Sequence, residues 1–217
     1  MITFAFMNVE RLDEYILQHI DKEPEFLKKL TRETHLRTTS PRMLSGHLQG
    51  RMLKMFCNMV SPVRILEIGT FTGYSAICMT ESLTTGGELH TIEINDEMED
   101  FLTRVFEESG LKEKIHLHIG DALDIIPEMT QTFDVVFMDG NKRHYLEYFH
   151  AVYPKLRVGG IIIADNTLWD GHVLDTERKD DQTAGICRFN DYIASDDRLE
   201  KVIVPVRDGM TLIRKIK

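Results

Sequence analysis

The run Arg64-Ile65-Leu66-Glu67-Ile68-Gly69-Thr70-Phe71-Thr72-Gly73-Tyr74-Ser75 passes from a short apolar stretch through two glycines into a helix-length segment. A brief apolar run bounded by glycine reads as a buried strand, here Arg64–Ile68. The glycines behind it allow a tight turn and bring backbone close to the start of the next helix, where a ligand can approach. Working outward, four more runs have the same character: Glu88–Ile94, Ile115–Ile119, Asp134–Met138 and Gly160–Ala164. Between them lie helical patterns at Tyr74–Leu83, Asp96–Ser109 and Arg143–Leu156, with a short turn near Ala122–Ile126. Strands alternating with helices predict an α/β fold, a doubly wound and mostly parallel sheet with helices on both faces.

The ends of the chain complete this picture. Leu12, Tyr15, Ile16, Ile20, Phe26, Leu27 and Leu30 have helical spacing over Val9–Leu30, broken by Pro24. Pro41 opens a second helical stretch with Leu44, Leu48, Met52, Met55, Phe56 and Met59 on one stripe, which reads as core filler. Toward the other end, a polar loop, Leu174–Thr183, precedes a helix through Asn190 and Ile193. Two strands, Lys201–Val206 and Met210–Lys215, then flank the turn pair Asp208-Gly209, so the sheet is expected to close in an antiparallel hairpin. The expected organisation is one domain over 1–217, with a helical preamble at 1–60 and an α/β core at 61–217.

Composition excludes several classes. With 217 residues, 42% hydrophobic and 28% charged, the chain is neither disordered nor fibrous. No apolar run approaches the roughly 20 residues that cross a bilayer, and Met1–Arg11 lacks the features of a secretory signal. The net charge of -9 gives no global attraction to nucleic acid or anionic membranes. Cys57, Cys78 and Cys187 form no paired framework, so reduced thiols and a cytoplasmic location are expected.

The chemistry concentrates at strand ends. The glycine loop is Glu-x-Gly-x-x-x-Gly, without the dinucleotide fingerprint, and an acid at Glu67 repels a pyrophosphate. It suits a cationic nucleoside ligand such as S-adenosylmethionine. Glu93, twenty residues after Gly73, stands where a carboxylate accepts from a ribose diol, or is a solvated turn residue. Gly120-Asp121-Ala122 ends the third strand, where Asp121 either reads an adenine edge or caps a helix. Asp139, Asp165 and Asn166 follow two further strands and face the same crevice. They form a hard-oxygen set for magnesium, manganese or calcium, or are plain strand-end caps. Lys142, three residues after Asp139, is a surface lysine or, beside cationic neighbours, a general base.

From Leu66 to Trp169 the sequence resembles the cation-dependent, S-adenosylmethionine-dependent O-methyltransferases, the family of catechol and caffeoyl-coenzyme A O-methyltransferases. The specific residues are Asp139-x-x-Lys142-x-x-Tyr145 and Asp165-Asn166-x-Leu168-Trp169-x-Gly171. The likeness extends to Met43–Gly50 and to the closing Val206–Arg214. It implies a Rossmann-like methyltransferase sheet. In the cofactor site, Glu67, Gly69, Phe71, Tyr74 and Ser75 would hold the methionine part, Glu93 the ribose, and Asp121 and Ala122 the adenine. Met43 and Ser45 would lie beside the methyl donor. Asp139, Asp165 and Asn166 would be metal ligands, with Asp139 also touching cofactor, and Lys142 and Asp139 the catalytic pair. Asn190 would lie near metal and substrate, and Trp169 would wall the acceptor pocket. Gln49 stands where plant members commonly carry Glu, Asn141 where they carry Asp, and the loop Leu174–Thr183 matches no known substrate loop.

The resemblance implies methyl transfer to a hydroxyl of a catechol-like or other small aromatic acceptor, by a homodimer. An alternative within the family is methylation of hydroxyuridine in transfer RNA, for which Arg42, Arg51, Lys142 and Arg143 would have to form a basic surface. A nicotinamide oxidoreductase is disfavoured by Glu67, and a non-catalytic nucleoside-binding scaffold by a crevice carrying metal ligands and a base.

Overall fold

The computed structural model describes residues 11–175 and 180–217. The start of the expected Val9–Leu30 segment and the middle of the Leu174–Thr183 loop lie outside those residues. Helix α1 covers residues 11–18, followed by α2 (Glu25–Arg37) and α3 (Gly46–Val60). The alternating part runs β1 (Arg64–Ile68), α4 (Tyr74–Thr80), β2 (Glu88–Glu93), α5 (Glu99–Glu108), β3 (Ile115–Ile119), α6 (Ala122–Glu128), β4 (Phe133–Met138), α7 (Tyr145–Val152) and β5 (Leu156–Asp165). Helix α8 (Asp181–Ser195) and strands β6 (Leu199–Val204) and β7 (Met210–Lys215) close the chain.

The strands form one seven-stranded sheet in the order β3-β2-β1-β4-β5-β7-β6. The first five are parallel, and β7 runs antiparallel to both β5 and β6. Because the order reverses at β1, the loops after β1 and β4 part to opposite faces and leave a crevice outside the strand ends.

Both faces of the sheet are covered, which is why its strands read as nearly continuous apolar runs. Ile65, Val135, Phe137 and Ile163 point to a core with Leu53, Cys57, Ile77 and Leu102 from α3, α4 and α5. Their neighbours Leu66, Ile68, Val136 and Ile162 point the other way, to Phe149, Phe189 and Ile193 from α7 and α8. The alternation is the period-2 geometry of a strand.

Element boundaries differ from expectation for local reasons. The strand expected over Gly160–Ala164 is longer: β5 begins at Leu156 and runs through Gly159 and Gly160 to Asp165. The register with β4 shifts between Phe133 and Val135, Gly159 takes φ +82°, and a side chain at Gly160 would press on the Asp134 carbonyl. The Arg143–Leu156 helix is shorter, because Pro154 turns its last part into a 3-10 turn, Tyr153–Lys155. The expected polar loop is shorter as well: Asp180 accepts from the N–H groups of Gln182 (2.8 Å) and Thr183 (3.0 Å), starting α8 at Asp181. Among the described residues, no helix is long and apolar enough to cross a membrane.

Phe149 is fully buried against the rings of Tyr153, Phe189 and Tyr192. Phe149→Ala is expected to cost about 3–5 kcal/mol of stability, read from the midpoint of denaturant unfolding.

Candidate active site

Four strand ends meet at the crevice: Gly69 follows β1, Glu93 ends β2, Asp139 follows β4 and Asp165 ends β5. The resulting cleft has a volume of about 680 Å³ and is bordered by those residues with Met43, Phe71, Lys142, Asn166, Trp169 and Arg207 among others. Gly69 has φ +97°, and any side chain there would collide with the carbonyl oxygen of Asp139. Glycine at this position therefore sets how closely the β1 and β4 turns approach.

Beneath this loop lies Glu67, wholly buried. The Thr91 hydroxyl donates to its Oε2 at 2.6 Å, the Ser75 hydroxyl adds a second bond, and the Thr70 hydroxyl backs Thr91 at 2.5 Å. Its Oε1 has no partner. Burial, reinforced by the charges of Asp139 and Glu93 and opposed by the two hydroxyls, pushes the Glu67 carboxyl up to about 8. Glu93 is held by backbone: its carboxylate accepts from the N–H of Phe71 at 2.8 Å and of Asn95 at 3.0 Å.

On the β4 side, Lys142 is buried, and its ammonium donates to Asp139 Oδ1 at 2.7 Å and to the Tyr145 hydroxyl at 2.7 Å. That hydroxyl lies 2.9 Å from the Asp165 carbonyl and 3.1 Å from the Met138 carbonyl. Tyr145 is thus a fully buried strut between the ends of β4 and β5 that also positions Lys142. At the helix that backs this loop, a side chain at Gly185 would strike the backbone of Lys142 and Arg143.

On the β5 side, the buried Asp165 carboxylate accepts from Gln49 Nε2 at 2.6 Å and from the Asn166 N–H at 2.9 Å. Burial and the facing Asp139 charge raise its pKa, while Gln49, Lys142 and the Asn166 N–H act the other way. Gln49 in turn accepts from Arg207 through Oε1 at 2.5 Å. An amide at position 49 serves a carboxylate on one side and a guanidinium on the other, whereas a glutamate would repel Asp165. Asn166 takes φ +55° and donates its side-chain N–H to Asp208 at 3.4 Å, leaving its Oδ1 available to the cleft. Asp208 shares a hydrogen bond with Asp170; burial first, then Asp170, raises its pKa.

Of the residues singled out by sequence, Met43, Gly69, Phe71, Glu93, Asp139, Lys142, Asp165, Asn166 and Trp169 border one cleft. Glu67 and Ser75 lie below it. Arg42 and Asn141 also border the cleft, and the remaining site candidates lie outside the lining. The Tyr74 hydroxyl donates to Glu23 at 2.7 Å, and the Ser45 carbonyl accepts from Arg207. Asp121 caps α6 through the Leu123 N–H at 2.8 Å, Ala122 is in the core, and Asn190 donates to the Thr167 carbonyl at 2.8 Å. Sequence reasoning assigned no role to Tyr145, Arg207, Asp170 or Asp208. For Tyr145 a signal existed in its fixed offset from Lys142; the other three need the closing hairpin folded against the cleft.

The site resembles known proteins over nearly the whole chain. The family model described as O-methyltransferase matches residues 18–216. Caffeoyl-CoA O-methyltransferase 2 of Populus trichocarpa is 31% identical, with 98% of this chain and 92% of that protein covered. The O-methyltransferase TomG of Streptomyces achromogenes, solved with SAM, superposes with a TM-score of 0.89 at 30% identity, covering 95% of this chain and 96% of that one. An O-methyltransferase of Bacillus cereus, solved with SAH, gives a TM-score of 0.89 at 26% identity, covering 94% and 97%. The fold and cleft thus define a Rossmann-like methyltransferase. More narrowly, the chain belongs to the O-methyltransferase family, enzymes that draw the methyl group from S-adenosylmethionine.

Glu67 carries a pH signature. The folded protein keeps the Glu67 proton between the ordinary carboxyl value of 4.5 and about 8, whereas the unfolded chain releases it. Stability from this group therefore falls as pH rises through that window. In ligand-free protein, Glu67→Gln is expected to remove that part of the decline, measured as the difference between the two unfolding curves across pH.

Proposed function

We propose that this enzyme methylates a hydroxyl of a catechol-like or other small aromatic acceptor, using S-adenosylmethionine and a divalent cation. The observation that carries the reading is the joint placement of Asp139, Asp165, Asn166 and Lys142 at one cleft below four strand ends. Two carboxylates and an amide oxygen are a hard-oxygen donor set, and burial first, then the facing Asp139 charge, raises the Asp165 pKa. Both features fit a divalent ion of the magnesium or manganese kind. Such an ion would supply Lewis acidity that lowers the pKa of an acceptor hydroxyl.

The chain's own residues do the rest. Gly69 lets the donor approach the backbone, Glu93 is placed for the ribose diol, and the buried Glu67 offers an unpartnered oxygen to the cationic methionine part. Met43 and Trp169 border the half of the cleft left for the acceptor. Holding donor and acceptor in line lowers the entropic barrier of the displacement, in which the acceptor oxygen bonds to the methyl carbon as the carbon–sulfur bond breaks. Lys142 receives the hydroxyl proton at Nζ. For that its nitrogen must enter the step as the neutral amine, its own proton having passed to bulk water. Tyr145 keeps that nitrogen pointed into the cleft throughout.

The transfer RNA alternative gains no comparable support. Of the four basic residues it would use, Arg51 pairs with Glu81 at 3.6 Å and Lys142 with Asp139 at 2.7 Å, while Arg42 borders a cleft rich in acids.

The test is transfer of label from methyl-labelled S-adenosylmethionine to a panel of catechols, caffeoyl esters and hydroxyuridine-containing RNA, with magnesium or with chelator. Label on a catechol or caffeoyl ester, lost in chelator and in Asp165→Ala, is expected; full activity in chelator would overturn the cation. Lys142→Ala and Tyr145→Phe are expected to lower kcat by about tenfold or more with KM little changed. Label on RNA alone would replace the small-molecule reading with the alternative.

We also propose that the enzyme is a homodimer working in the cytoplasm as one domain, with the N-terminal helices in the contact. The large apolar side chains of Leu12, Tyr15, Leu17 and Leu36 are exposed on α1 and α2. Sedimentation is expected to give a dimer that Leu12→Glu weakens, and a monomer at micromolar protein would overturn it.

A further inference from the structure

The opposite end of the sheet, where the parallel strands begin, holds a second cluster of polar side chains. Glu88 opens β2, His90 follows on the same face, and His116 of β3 is the direct cross-strand partner of His90. One ligand atom from each of these three residues lies within 4.8 Å of the others. Glu88 Oε2 is 3.3 Å from His116 Nε2, and Glu88 Oε1 is 3.6 Å from His90 Nε2.

His90 is 5% exposed, yet its Nε2 has no hydrogen-bond partner. Its other nitrogen is engaged, with Nδ1 at 3.0 Å from His118 Nε2. That bond needs one N–H and one lone pair. If the hydrogen is on Nδ1, then Nε2 presents a buried lone pair toward a carboxylate, which has nothing to donate. With the opposite tautomer, the Nε2–H is left 3.6 Å from the nearest carboxylate oxygen, beyond hydrogen-bond range. Either way the protein leaves this nitrogen unsatisfied, at a cost that a bound cation would remove. The first tautomer is also the one that metal-binding histidines adopt, with the distal N–H given to an outer partner.

The surroundings agree. Arg64 Nε donates to Glu88 Oε1 at 2.8 Å, engaging one oxygen and leaving Oε2 toward His116. The Phe133 ring packs edge-on to His90, with centroids 5.8 Å apart, and closes the apolar side. His116 is 47% exposed and provides access from solvent.

We propose that Glu88, His90 and His116 form a binding site for a divalent first-row transition metal, with Zn²⁺ the expected ion, away from the methyl-transfer cleft. Two imidazole nitrogens and a carboxylate oxygen suit zinc, whereas magnesium and calcium favour all-oxygen sets. The Glu88–His116 spacing already matches the roughly 3.4 Å between ligands of a tetrahedral zinc ion. The three ligand atoms lie within 4.8 Å of one another, and the half-exposed His116 ring is the ligand with room to adjust. At a strand rise of about 3.3 Å per residue, His90 is about 10 Å and Glu88 about 17 Å from Glu93 along β2, so the site is separate from the cleft. Its effect would be to staple β3, an edge strand with one neighbour, to β2.

The test is Zn²⁺ titration of the full-length, metal-stripped enzyme by calorimetry, with Co²⁺ absorption reporting nitrogen ligation and thermal unfolding reporting the staple. The intact protein is expected to bind Zn²⁺ and to unfold at a higher temperature with Zn²⁺ but not with magnesium at this site. His116→Ala, a change at a half-exposed position, is expected to weaken that binding by at least about tenfold and to abolish the zinc-dependent shift. An Asp139→Asn, Asp165→Asn protein, lacking the cleft carboxylates, is expected to keep it. Zinc affinity in His116→Ala and Glu88→Gln equal to that of the intact protein would overturn the site, as would loss of all zinc binding in a folded Asp139→Asn, Asp165→Asn protein.

Discussion

A carboxylate buried at the end of β5 organises the cleft. Asp165 has lost most of its water and faces the charge of Asp139, both of which oppose its ionisation. Gln49, the Asn166 N–H and Lys142 oppose those effects, and each comes from a different part of the chain. A buried charge left unpaired would cost several kcal/mol, so these contacts are requirements of folding as well as of function. They draw α3, the β6–β7 turn and the β4 end onto one point. Arg207 reaches Gln49, Gln49 reaches Asp165, and Tyr145 reaches the Asp165 backbone.

The same arrangement separates the tasks of the two halves of the cleft. Around Glu67 and Glu93 the acids are held by hydroxyls and backbone N–H groups, without a basic side chain among their hydrogen-bond donors. That leaves room for a cationic donor, against whose charge Glu67, which keeps its proton up to about 8 in the ligand-free protein, would ionise. Around Asp139 and Asp165 two acids share the one ammonium of Lys142, which bonds Asp139 directly and acts on Asp165 through its charge. A substrate bearing a positive sulfonium and an acceptor bearing an acidic hydroxyl meet complementary fields on the two sides.

Much of this was legible in the residues. The five parallel strands, their order of alternation with helices and the closing hairpin follow from apolar runs bounded by turn residues, and β1, β3 and β7 have the bounds read from sequence. The run Asp139-x-x-Lys142-x-x-Tyr145 also announces its own cluster, because residues three apart on a helical turn share a face. Reading failed where local and tertiary preferences differ. The strand start expected at Gly160 is too late, because pairing with β4 carries β5 back through Gly159 to Leu156 across a register shift. Asp121, for which the sequence leaves an adenine contact and a helix cap open, caps α6 through the Leu123 N–H. His116 and His118 are visible as alternating residues on one strand, while their relation to His90 depends on the register of β2 against β3.

The sequence by itself determined which segments are strands and helices, that the catalytic candidates follow strand ends, and that the glycine loop prefers a cationic ligand. These depend on periodicity, turn chemistry and the sign of a side chain, all local quantities. Only the tertiary structure decided that Gln49 and Arg207 support Asp165, that Tyr145 links two strand ends, that Tyr74 and Asp121 lie outside the cleft, and that three histidines and a glutamate gather at the far edge. Those relations join residues far apart in the chain, and they arise from strand register and from the need to satisfy buried charge, which no single stretch of sequence expresses.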